Sequence, residues 1–420
     1  MNARSGASAD LRATLPADAA AILRTTDAVR TRSVQLLDRA RAGDSRWFTV
    51  RDDALHSAAD EVTSVTSARY PDLVIPYHSR WRHFEAGGVD RRAELDRLLD
   101  SSGRHERARA LIDVAVVSVL LDAGAGADWS FAEHGGETIR RFTRSEGLAV
   151  ASWHGFVAGM FSSDPAQPLR VDAAGLRALT EDRLARMLQV GPDNPLVGLS
   201  GRVQLMRRLG DALAAHPDVF GTQGRPGGLF DALAEDGDEV DARDILTHLL
   251  TSLSPIWLSD NTIGAEALGD CWRHHAVTGP GLTAGWLPLH KLSQWLTYSL
   301  IEPFTWAGVT VTGVDALTGL PEYRNGGLLL DTGVLRMREH EYATRTWTPA
   351  DELVVEWRAL TVALLDELAP LVSSRLGMTA AQMPLACVLE GGTWAAGRAM
   401  AQRLRDGLPP LVIASDGTVF

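Results

Sequence analysis

The chain has 420 residues, 45% apolar and 22% charged, enough for one large globular domain or two to three ordinary ones. Forty-one basic residues against 53 acidic ones leave a net charge of −12, which argues against nucleic acid or an anionic membrane as the main partner. Two distant cysteines, Cys271 and Cys387, no signal-like apolar start and no apolar run near the roughly 20 residues of a membrane helix lead us to expect a soluble cytoplasmic protein.

Apolar spacing predicts helices over residues 17–42 and 104–122, the latter closed by Gly124 and buried through 111–121. The Gly- and Pro-bearing stretch 162–168 is the expected boundary between an N-terminal helical part (1–165) and a larger, mainly helical part (166–420); the two could equally form one compact domain. Further helices are predicted over 176–189, 200–216 with Ser200 as N-cap and Pro217 beyond the end, and 241–253. Pro288 suits a first helical turn and Pro303 a stop, so 288–303 should be a helix. Strand signals are few: the β-branched run 309–312, the apolar run 327–331 and residues 410–413. The run Thr348, Pro349, Ala350, Asp351 reads as an N-cap, a first-turn proline and a capping acid, opening a helix past Leu368 that Pro370 breaks or kinks. A last helix spans 393–406, stopped by Gly407. The expected fold is mainly α, with one small β-hairpin element near 308–334.

Only one of the 41 basic residues is a lysine, Lys291. An ammonium is a compact charge whose behaviour changes on burial, so a lone lysine in an arginine-rich chain marks a site where a guanidinium would fail. On a helical wheel Leu289, Leu292, Leu296 and Leu300 share one face; His290, Lys291, Gln294, Trp295, Tyr298 and Glu302 share the other, which suits a polar pocket wall. A second mixture of cations and aromatics occurs at Arg80, Trp81, Arg82 and His83, followed by Gly87 and Gly88; arginine forks hold phosphates or carboxylates.

Three carboxylates compete for acid–base work. Glu322 and Asp331 flank Gly326 and Gly327, and a hairpin there would pair them; Arg324 lies between. Asp270 sits beside Trp272, where burial would raise its proton affinity. Cys271, His274 and His275 look like metal ligands, but adjacent histidines should point in different directions, so no metal or cofactor is expected. Glu390 to Thr393 leads into a helix and could hold an anion there. Nucleotide-binding glycine loops, the G-x-S-x-G elbow and H-E-x-x-H are absent.

Residues 77–88, 288–303, 320–331 and 415–420 together resemble the Urc/Urg uracil-catabolism proteins of fungi and bacteria, over almost the whole chain. The resemblance implies a step in a pyrimidine-degrading pathway in which a ribosylurea-type intermediate releases urea. A weaker resemblance, to the queuosine-salvage nucleoside N-ribosylhydrolases, rests on residues 202–213, 290–294 and 322–324. It implies an all-helical, DNA-glycosylase-like core, but Leu289 stands where those proteins carry an aspartate, so the role would pass to Asp331 or Asp270.

The resulting expectation is an N-ribosylhydrolase acting on a small ribosyl or ribosyl-phosphate substrate, with no nucleic acid or membrane partner. Asp331, Glu322, Asp270 and His290 are the catalytic candidates. Lys291, Gln294, Trp295, Tyr298, Arg80, Trp81, Arg82, His83 and Arg324 are the binding candidates. A ring-opening or amide-hydrolysing step, and a non-catalytic pathway partner, remain as alternatives.

Overall fold

Short polar side chains decide where many of the helices begin. Thr25, Ser79, Asp90, Asp172, Thr180, Asp241 and Glu322 each accept a backbone N–H of the helix they precede, satisfying donors that would otherwise be orphaned. The computed structural model describes residues 13–135, 138–234, 237–414 and 418, so the terminal 415–420 motif lies outside the described residues except for Thr418. The fold is mainly α, and among the described residues the strands form two-stranded sheets. Among the described residues, no helix is long and apolar enough to cross a membrane.

The chain divides into two compact units, each assembled from separate stretches. The first comprises residues 1–78, 261–294 and 314–414. In it, Glu352–Arg375 packs against Thr26–Arg41, Leu55–Arg69 and Tyr323–Asp331, and Tyr323–Asp331 packs on Trp394–Arg405. Phe48–Val50 pairs antiparallel with Leu335–Met337, Cys271–Arg273 antiparallel with Trp286–Pro288, and Thr346–Trp347 parallel with Val412–Ile413. The second unit comprises residues 79–260, 295–313 and 415–420, and it contains the stretch 162–168. Its helices include Arg104–Leu120, Arg144–Val157, Leu199–Ala215 and Ala242–Leu253, with an antiparallel hairpin of Ser130–Gly135 and Thr138–Thr143.

Several expectations need correcting. Residues 17–42 form two helices, Pro16–Leu23 and Thr26–Arg41, because Thr25 caps the second. Likewise 176–189 divides into Ala173–Arg177 and Glu181–Met187 at the Thr180 cap. Gly198, at φ +73°, precedes Leu199–Ala215 in place of the expected cap Ser200. Thr348 and Asp351 do bond to each other, but the helix starts at Glu352, and Pro370 lies inside it. Pro288 belongs to a strand, and the helix Lys291–Trp306 runs through Pro303. Thr310–Thr312 pairs in parallel with Glu239–Asp241, so the expected local hairpin is absent there.

The largest correction concerns 322–331. Tyr323–Asp331 is a helix with Glu322 as its N-cap, so Glu322 and Asp331 lie at opposite ends of it. Gly326 and Gly327 are not turn residues. A Cβ on Gly326 would stand 2.7 Å from the Trp357 ring, and on the neighbouring helix a Cβ on Gly397 would stand 2.1 Å from the Arg324 carbonyl oxygen. Glycine serves here as a close-packing residue between helices, which a turn-based reading of a Gly-Gly pair misses.

Candidate active site

Asp270 organises the start of the helix Lys291–Trp306. Its backbone carbonyl accepts the N–H groups of Leu289 and His290, both at 3.0 Å. Its carboxylate accepts the N–H of Lys291 at 2.9 Å, the indole N–H of Trp272 at 2.6 Å, and a bidentate pair of bonds from Arg358 at 2.8 and 2.7 Å. A carboxylate suits this place, because the first-turn N–H groups of a helix carry partial positive charge. Burial alone would raise its pKa. The charge and hydrogen bonds of Arg358, then those from Trp272 and the Lys291 amide, outweigh that and hold it well below the usual carboxylate range. The expected rise is therefore reversed, because Asp270 is buried together with a partner. It is a permanently ionised anchor rather than a proton donor.

His290 adopts φ +48° at the turn into the helix, a left-handed conformation rare for a residue with a Cβ. Its Nε2 lies 2.9 Å from the Leu23 carbonyl oxygen, and burial lowers its pKa, so the ring is neutral and donates from Nε2. Beyond it, residues 291–301 of the helix are buried on every side, including Lys291, Gln294 and Tyr298 as well as Leu292 and Leu296. Lys291, at 9% exposure, is not a surface lysine.

The segment 318–325 is laid along this helix start. Thr318 N–H donates to Gln294 Oε1 at 3.3 Å, Arg358 Nε donates to the Pro321 carbonyl at 3.2 Å, and Asn325 Nδ2 donates to the Leu320 carbonyl at 3.1 Å. Glu322 is thereby held as a half-buried N-cap, its oxygens accepting the N–H groups of Arg324 at 2.7 Å and Asn325 at 2.6 Å. Its pKa is raised. Burial exceeds the opposing pull of those two hydrogen bonds and of the Lys291 and Arg324 charges. Gln294 Nε2, a donor, and Asn325 Oδ1, an acceptor, are buried with no hydrogen-bond partner among the described residues. Most buried polar atoms are paired, so leftovers of complementary sign, one a turn beyond Lys291 and one on the helix that Glu322 caps, are informative.

The structure thus brings together Asp270, His290, Lys291, Gln294, Glu322 and Arg324 in the first unit. Asp331 belongs to that unit too, but at the far end of its helix, where both oxygens accept bonds from Arg405 at 2.8 and 2.7 Å. The remaining candidates lie in the second unit. There Arg80 is fully buried, bonded to Ser118 at 2.6 Å and paired with Asp122 at 3.1 Å, while Arg82 pairs with Glu302 at 2.7 Å. The Trp81 indole N–H donates to the Ser299 carbonyl at 3.0 Å, the His83 ring packs edge-on to Trp295 at 5.7 Å, and Tyr298 is buried. The arginines therefore brace the fold around Trp295–Trp306. Arg358 and Asn325 belong to this region without having stood out in the sequence. For Arg358 the available signal was a charge inside an otherwise apolar helical run.

A mainly α protein with a carboxyl of raised pKa beside a buried lysine, braced by an ionised Asp–Arg pair, is the class that fold and site define. The chain belongs to the family described as "Protein of unknown function (DUF1688)", which matches residues 22–420. It is similar to "Protein urg3" of Schizosaccharomyces pombe, with 39% identity covering 93% of this chain and 96% of that protein. It is also similar to "Uracil catabolism protein 4" of Lachancea kluyveri, with 37% identity covering 94% of this chain and 98% of the relative.

Proposed function

We propose that this protein is an enzyme of uracil catabolism that hydrolyses the N-glycosidic bond of a ribosylurea-type intermediate, as the free ribosyl compound or its 5-phosphate, and releases urea. The observation that carries the reading is Glu322, a carboxyl whose proton affinity is raised by burial next to the chain's one lysine. A carboxyl tuned upward is the usual proton donor for departure of a glycosidic leaving group. In the proposed step Glu322 protonates the leaving urea nitrogen as the bond to the anomeric carbon breaks. Water adds to that carbon and returns a proton to Glu322, giving ribose, or ribose 5-phosphate, and urea. Gln294 Nε2 and Asn325 Oδ1 offer one donor and one acceptor, the complement of a ureido carbonyl and N–H. Lys291 supplies the positive charge for an anionic substrate, which an acidic chain must otherwise repel. The names of the relatives support the pathway, and the chemistry of Glu322 supports the step.

The test is to incubate the purified protein with ribosylurea and with its 5-phosphate and to assay urea. Urea release by the wild type, lost in Glu322→Gln, is the expected result. No urea from either substrate would overturn the reading.

A further inference from the structure

A group of side chains outside the proposed active site has the make-up of a metal centre. It lies where the strand Cys271–Arg273 ends beside the first two turns of Glu352–Arg375. The ligand atoms of His274, His275 and Glu352 all lie within 4.8 Å of one another. The two imidazoles stack, with centroids 5.1 Å apart and planes 17° from parallel, so these adjacent histidines do not point apart. Their Nδ1 atoms face one carboxylate oxygen, Glu352 Oε1, at 3.9 Å for His274 and 2.5 Å for His275. The 3.9 Å separation is too long for a hydrogen bond. Two ligand atoms with bonds of about 2.0–2.1 Å to one tetrahedral ion stand a little over 3 Å apart, so a small shift brings this group into range.

A second observation fixes the ring of His274. Its Nε2 lies 3.0 Å from Glu356 Oε2, and Glu356 in turn accepts the Ser45 hydroxyl; all three side chains are buried. Its Nδ1 accepts the Ala276 N–H at 3.2 Å, so the proton sits on Nε2 and the Nδ1 lone pair is free of a proton on the side of the ring near Glu352. A metal-binding histidine needs this tautomer, with its other nitrogen donating to a carboxylate. His275 is exposed and Glu352 half-buried, so an ion has a route from solvent and room for a water ligand. Cys271 takes no part; it is buried in the cluster with Ala19, Leu23, Leu268 and Trp286.

We propose that His274, His275 and Glu352 bind one divalent transition-metal ion of the zinc class, with Glu356 orienting His274. Two imidazoles and one carboxylate with an open position suit zinc rather than magnesium or calcium, which prefer all-oxygen sets. The incoming ion displaces the weak Ala276 N–H contact at 3.2 Å and the hydrogen bond from His275 Nδ1 to Glu352 Oε1, whose proton is released to solvent.

The test uses the full-length chain without a histidine tag, stripped by a chelator and titrated with Zn2+ by calorimetry. One ion per chain is expected. Substituting Co2+ should give the visible absorption of low-symmetry nitrogen–oxygen coordination. His275→Ala and Glu352→Gln, both near the surface, should each weaken binding by at least about tenfold, and Glu356→Gln by roughly ten- to a hundredfold. His154→Ala, at an exposed histidine of the second unit, should leave it unchanged. No binding to the stripped wild type, or unaltered affinity in both His275→Ala and Glu352→Gln, would overturn the proposal. Neither readout depends on urea release.

Discussion

At the residue scale, two carboxyls of one region are driven in opposite directions by their partners. Glu322 has burial against it and only modest compensation, so its folded pKa lies above the ordinary value. If its protonated form is the acid, activity is retained at low pH and lost as pH rises through that folded pKa. Glu322→Gln should remove this limb and lower turnover by about a hundred- to ten-thousandfold, the usual range for general acid catalysis, while the circular dichroism spectrum stays native. Asp270 is the opposite case, fully buried but bonded to Arg358 on both oxygens. Asp270→Asn leaves the Arg358 charge uncompensated and should lower stability by about 3–5 kcal/mol in urea denaturation. A loss near zero would show that the pair is dispensable. Lys291 sits in a tight, buried place where the shape of the cation matters. Lys291→Ala should weaken a phosphorylated ligand by roughly ten- to a hundredfold, a charge-assisted bond of about 1.5–3 kcal/mol. Lys291→Arg should impair turnover with stability unchanged, and wild-type activity in that variant would make the lone lysine an accident of composition.

At the element scale, glycines set how closely the site helix can be approached. A Cβ at Gly397 would meet the Arg324 backbone, which belongs to the helix that Glu322 caps. Gly397→Ala should therefore destabilise the protein by about 1–3 kcal/mol, as overpacking does, and should also lower activity by displacing Glu322. Loss of stability with intact specific activity would separate that helix from the chemistry. The same glycines explain what a linear reading could and could not find. Long helices with an apolar rhythm or a strong cap, such as Arg104–Leu120, Ala242–Leu253 and Trp394–Arg405, follow from local pattern. The residues around Lys291 stood out by type alone. By contrast, Tyr323–Asp331 hides behind two helix-breaking glycines, of which Gly326 has a tertiary reason, the Trp357 ring packed against it. Arg358 announces nothing about Asp270, 88 positions away. Whether adjacent histidines stack or diverge depends on the chain turning at the end of a two-stranded ladder, which composition does not encode.

At the scale of the whole molecule, the acid limit of the fold should be set in the first unit. That unit holds Glu390, in a π-helical turn (Leu389–Thr393) rather than at a helix N-terminus open to an anion. Its side chain accepts bonds from His78 at 2.8 Å, Arg69 at 2.9 Å and Tyr70 at 3.0 Å. Burial pushes its pKa up, but the hydrogen bond and charge of His78, then those of Arg69, outweigh it and hold the pKa at about 2, against an ordinary 4.5. A depressed folded pKa contributes stability that is fully present above pH 4.5 and is lost as pH falls through about 2. The shift corresponds to about 3 kcal/mol. Asp270, in the same unit, adds a loss of the same sign at lower pH, while Glu322 and Asp366, both raised by burial, run the other way and soften the slope. In the second unit the buried Asp113, facing Arg225, is also raised, so protonating it does not weaken that unit. Hydrogen exchange corrected for intrinsic rates, followed from pH 5 to pH 2.5, should show Leu55–Arg69, Glu352–Arg375 and Trp394–Arg405 losing protection before Arg104–Leu120. Glu390→Gln should flatten the fall of urea-denaturation stability across the same range. Uniform loss of protection along the chain, or an unchanged slope in the variant, would place the acid-sensitive groups elsewhere.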